Sequence, residues 1–214
     1  MRRLALLLLL PAAALAQPAG PARPDAAPPR GAAPGSPAPV SPGAAAAAPR
    51  GAEARRAELD RLFDALRTAP DEASAALVEM QIRAAWSRAA SPAVLLLMSR
   101  GQRDLRANEA DEALEGFGDA LVLAPDYADG WVAHAQARAA LGDVPGAARD
   151  LREALRLEPR HFGALLALAS LQESTGDLTG ALRSLEAALA ISPKLPGGEA
   201  RRRDLRRRAL GDNT

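Results

Sequence analysis

The 214 residues include 27 Lys or Arg and 26 Asp or Glu, so a formal charge of +1 gives no global field that would favour nucleic acid or a membrane. With no Cys and two His, His134 and His161, the chain has no disulfide framework and no clustered ligand set for a metal. Lys194 is the one Lys, and the abundance of Ala, Arg, Pro and Gly reads as a high-GC bacterial coding bias.

Arg2 and Arg3 precede an apolar run from Leu4 to Leu10, and Ala14-Leu15-Ala16 supplies small residues before Gln17. Residues 1–16 are therefore expected to be a cleaved secretory signal peptide that delivers a soluble protein to the periplasm. The run falls short of the ~20 residues that a membrane-spanning helix needs. From 17 to 50 the composition is almost entirely Pro, Ala, Gly, Arg and Ser without apolar periodicity. Such a stretch cannot build a core, and a disordered, semi-stiff Pro/Ala-rich linker is expected there.

Leu59, Leu62, Phe63 and Leu66 recur at helical spacing, and Val78, Ile82, Trp86 and Ala89 form a second stripe before Pro92. These stripes predict an atypical N-terminal capping helix pair over 51–93. From 94 to 195 the chain repeats itself. Pro125, Pro159 and Pro193 lie 34 positions apart, and each closes an Ala-Leu-x-Leu/Ile-x-Pro ending. The columns Ala113/Ala147/Ala181, Ala120/Ala154/Ala188 and Phe117/Leu151/Leu185 keep the same step. Gly101, Ala135 and Ala169 face the first of these columns, so small residues on both sides would let two helices approach closely. Asn108, Gly142 and Gly176 suit the left-handed turn between them, with Asp143 and Asp177 as caps for the next helix. After Pro196, the segment 196–214 is predicted to hold a terminal capping helix with the basic triplets Arg201 to Arg203 and Arg206 to Arg208.

These columns resemble the tetratricopeptide repeat, with Trp131 at a position where that family prefers Trp. The resemblance implies an all-α, right-handed solenoid of antiparallel helix pairs, about three units plus capping helices. Departures occur where Arg100 and His134 replace a usual Leu, and where Asp104, Arg138 and Gln172 replace a common aromatic. The resemblance also implies a concave groove lined by the first helices, here Met98, Gln102, Leu105, Val132, Gln136, Leu166 and Ser170. Families that grip a peptide carboxylate place Lys, Arg and Asn in these columns. That clamp is missing here, so an apolar helix or extended segment of another cell-envelope protein is the expected partner.

No nucleophile elbow or phosphate-binding loop is present, and Gly116-Phe117-Gly118 falls inside a repeat helix, so neither enzymatic activity nor a cofactor is expected. Two other uses of the chain are compatible with these residues. One is docking to an envelope complex by the convex face or the N-terminal helix pair. The other is peripheral contact with anionic lipid through Arg202, Arg203, Arg206 and Arg207.

Overall fold

The computed structural model describes residues 43–211, which form nine α-helices and no strand. The predicted signal peptide, residues 17–42 of the linker and the last three residues lie outside the described range. Helix α1 (Gly43–Arg67) begins inside the stretch read as linker. Its first turns contain Ala44 to Ala48, and Ala has the best intrinsic helix propensity.

Three antiparallel hairpins follow the 34-residue period. They are α3 (Pro92–Arg106) with α4 (Ala110–Leu123), α5 (Ala128–Ala140) with α6 (Val144–Leu157), and α7 (Phe162–Ser174) with α8 (Leu178–Ile191). Asn108, Gly142 and Gly176 stand at φ 64°, 81° and 82°, which reverses the chain in each hairpin at the left-handed conformation these residue types tolerate. The Asp143 and Asp177 carboxylates accept from the N–H groups of Gly146 (2.9 Å) and Gly180 (2.8 Å), capping α6 and α8. Within each hairpin the small columns meet. A Cβ on Gly101 would lie 2.6 Å from the Phe117 ring, and Ala135, Ala147, Ala169 and Ala181 are all buried. Helix α9 (Gly198–Leu210) packs on α8 at the end of the stack.

In the second and third repeats the departures from the family pattern make polar contacts. Arg138 Nη1 donates to Asp143 (2.6 Å), while Arg138 Nε lies 3.0 Å from an Asp150 carboxylate that His134 Nδ1 also meets at 2.7 Å. One repeat later the Gln172 amide reaches Asp177 (3.5 Å) and Ser184 (2.6 Å), the residues in the same columns as Asp143 and Asp150. A hydrogen-bonded bridge between the helices of a unit thus stands where an aromatic would have packed.

The helix pair α1 and α2 (Glu72–Ser87) forms a hairpin as its stripes predict, but it does not cap the first repeat. It lies along the edge where one unit passes to the next. Phe63, Leu66, Ala69, Ala75 and Ile82 share a core with Phe162 at the start of α7, and Ile191 at the end of α8 packs against it. Trp86 stacks on His161 with centroids 4.4 Å apart, and Ser192, fully buried, donates to Glu79 Oε1 at 3.0 Å. Arg160 donates to Asp60 (2.7 Å) while its guanidinium lies 4.2 Å from the Phe63 ring centroid. The free end of the stack is consequently α3. Leu96, Ser99 and Arg103 are exposed there, whereas the same columns in α5 hold buried Gly130, Ala133 and Ala137.

Candidate functional site

Helices α5 and α7 stand side by side, and α6 closes the gap behind them. The result is a cleft of about 360 Å³ with a floor of Ala135, Ala147, Leu151 and Leu171. Its rim is Gln136, Ala139, Ala167, Ser170 and Ser174. Small side chains at 135, 139, 147 and 167 create this space, because a Leu at any of them would occupy it. Among the described residues the cleft offers apolar floor, one amide and two hydroxyls, and no carboxylate, Lys or Arg lines it. It can hold an apolar side chain while the rim bonds the backbone on either side of it.

The residues expected in the groove separate by column. Gln136 and Ser170, one repeat apart, both line the cleft, and Gln102 is half-buried in the same column of α3. The column Met98/Val132/Leu166 instead packs on the next first helix. Met98 meets a cluster containing Ala133 and Ala137 of α5. Val132 is 8% exposed among Ala135, Ala147, Ala164 and Leu171, and Leu166 packs into the cluster built with α9. Leu105 also packs inward, against the Ala113 and Phe117 cluster. Val132 is therefore a seam residue, because a first helix in the middle of a stack is flanked on two sides and its buried arc is wider than one amphipathic stripe. Ala139 and Ser174 line the cleft although no repeat column singles them out; small size on a first helix is the signal that marks them.

The terminal helix closes one end of this surface. Arg201 donates to Ser170 Oγ (3.0 Å) and Glu173 Oε2 (3.1 Å), and Arg208 hydrogen-bonds the other Glu173 oxygen. Hydrogen bonding to Arg208, reinforced by Arg201, holds the Glu173 carboxyl below its ordinary value. A depressed carboxyl contributes stability that is present above the unfolded value, ~4.3, and is lost as pH falls through the folded one. Thermal melts of the wild type are accordingly expected to fall more steeply below about pH 4.3 than those of Glu173→Gln. Equal slopes would show that the Arg pair does not hold α9. Among the other basic residues of the triplets, Arg202 pairs with Glu199 (2.8 Å) and Arg207 with Asp204 (3.1 Å), whereas Arg203 and Arg206 are exposed.

His161 serves the fold. Its Nδ1 accepts from the Ala164 N–H at 3.1 Å, which caps α7 and leaves the ring proton on Nε2, 3.1 Å from Asp129 Oδ1 on α5. One buried ring thus ties α5 to α7 while Trp86 covers it. Beside it, burial and the neighbouring Asp129 charge push the Tyr127 hydroxyl up to about 12. No group of His, Asp and Glu able to hold a metal ion occurs among the described residues, and no helix there is long and apolar enough to cross a membrane.

Residues 132–196 match the sequence profile of the tetratricopeptide repeat. A TPR repeat-containing protein of Rhizobium etli is 29% identical over 96 residues, which are 45% of this chain and 47% of the relative, so the chain spans about half of that protein's length. The Sgt2 TPR domain from Aspergillus fumigatus superposes with a TM-score of 0.54 at 21% identity, covering 58% of this chain and 83% of that one. The first TPR of Spaghetti, solved bound to an HSP90 peptide, gives 0.53 at 20% identity over 56% of this chain and 95% of its own. The Arabidopsis OM64 TPR domain gives 0.51 at 19% identity over 54% and 96%. At these identities the structures bear on the fold, and they agree with the hairpins, the period and the profile match that residues 132–196 of this chain are built of tetratricopeptide repeats.

Proposed function

We propose that this protein is a non-enzymatic adaptor that holds a segment of another protein in the cleft between α5 and α7. The observation that carries this reading is the cleft itself, an apolar pocket of about 360 Å³ with room for a large side chain, rimmed by the polar groups of Gln136, Ser170 and Ser174. Spaghetti's first TPR holding an HSP90 peptide supports peptide binding as the use of such a surface. No cation lines the cleft, and Arg201 at its edge is already paired with Glu173, so the segment is internal, helical or extended, and inserts an apolar residue. The Arg pair and apolar run at residues 2–10 support a partner in the cell envelope and action in the periplasm.

A photo-crosslinking residue at position 139, introduced in the native exporting cell, is expected to capture an envelope protein. Ala139→Glu is expected to weaken that complex at least about tenfold with unchanged helicity, because a carboxylate in the cleft loses water without gaining a partner. Position 139 is exposed, so the variant folds. Full retention of the partner by Ala139→Glu would place binding elsewhere on the molecule.

A further inference from the structure

Helix α2 is apolar on two opposite faces. Ala75, Glu79, Ile82 and Ala85 are buried toward the stack. On the other side Leu77 is 59% and Met80 60% exposed, and Ala73, Ala76 and Ala84 are exposed with them. At 100° per residue, Ala73, Leu77, Met80 and Ala84 centre about 180° from Ile82. Their spacing of four, three and four residues is that of a coiled-coil seam, with Leu and Met in the middle and Ala at both ends.

We propose that this seam is a homodimer interface in which α2 pairs antiparallel with α2 of a second copy. A two-fold interface has to be complementary to itself, and this one is. In the antiparallel register Leu77 meets the copy's Met80 and Ala73 meets its Ala84, so each large side chain faces a large one and each small a small. The ends agree in charge. Asp71, which caps α2, and Glu72 lie at its start, and Arg88, paired within the chain with Glu58 but still exposed, lies just after its end, so antiparallel pairing sets acids beside Arg, and opposed helix dipoles add to the match. End-to-end stacking of the solenoids is the alternative for a second copy, and charge opposes it: the open end on α3 carries exposed Arg100, Arg103 and Arg106, and the other end carries exposed Arg203 and Arg206. A seam of four layers is small beside the ~800 Å² per partner of a stable complex, so the dimer is weak and concentration-dependent.

The full chain in sedimentation equilibrium is expected to shift from monomer to dimer as concentration rises, and Leu77→Glu with Met80→Glu to stay monomeric at every concentration with wild-type helicity. The chain has no Cys, so single substitutions report the register cleanly. A mixture of Ala73→Cys and Ala84→Cys chains is expected to form disulfide heterodimers, whereas Ala73→Cys alone does not, because the two copies of residue 73 lie ~16 Å apart along the seam. A wild type that remains monomeric throughout overturns the proposal. So does a dimer that survives both Glu substitutions, or Ala73→Cys chains that pair with themselves as readily as with Ala84→Cys.

Discussion

Phe162→Ala is expected to cost about 3–5 kcal/mol and to release the α1–α2 hairpin from the repeat edge. Phe162 is fully buried and is the one residue of α7 in the core formed by Phe63, Leu66 and Ile82. Its ring lies 5.7 Å from Trp86 and beneath the Arg83 guanidinium, whose carbon is 5.1 Å from the ring centroid. Removing the ring empties the hairpin's main foothold, yet leaves the α5–α6 seam untouched. Hydrogen exchange should therefore rise first in α1 and α2 while α5 and α6 stay protected. A loss below about 1 kcal/mol, or exchange that rises evenly over all helices, would show that the hairpin rests on something other than Phe162.

Val132→Glu is expected to unfold the stack from its centre. Val132 sits among Ala135, Ala147, Leu151, Ala164 and Leu171, all apolar, and the indole N–H of Trp131 packed beside them is already donated to the Pro125 carbonyl. An unpaired polar group there costs about 2–7 kcal/mol, comparable to the whole stability of a small domain. Gln136→Glu, four residues on and exposed, should change stability by less than about 0.5 kcal/mol. Chemical denaturation of the two variants separates a seam from a groove. If Val132→Glu melts like the wild type, Val132 faces solvent and its column belongs to the binding surface after all.

The parts of the fold that repeat were legible because every unit restates them. Ala113, Ala147 and Ala181 can each be checked against the others, and the turn residues Asn108, Gly142 and Gly176 adopt the positive φ that their type implies. The hairpin's position had no such support. It is decided by contacts such as Glu79 with Ser192 and Asp60 with Arg160, made by polar residues 113 and 100 positions apart that local pattern assigns to solvent. The candidate site was half legible for a related reason. Column spacing put Gln136 and Ser170 on one surface, but the side of α5 that meets α7 depends on how the units turn, and no single helix records that. Arg138 shows the same limit, because its value comes from Asp143 and Asp150 together.

A row of like units can ordinarily grow or shrink by in-frame duplication, since each added seam copies the one before. This chain has given up that freedom in its interior. The hairpin touches Tyr127, His161 and Ser192, at the junctions that follow the first, second and third repeats, and its Trp86 and Glu79 are only two helical turns apart. Insert a thirty-four-residue module between those junctions and the two side chains could no longer reach both of their present partners. Length variation among descendants should therefore accumulate at the exposed α3 face or beyond α9, with the number of units under the hairpin held constant.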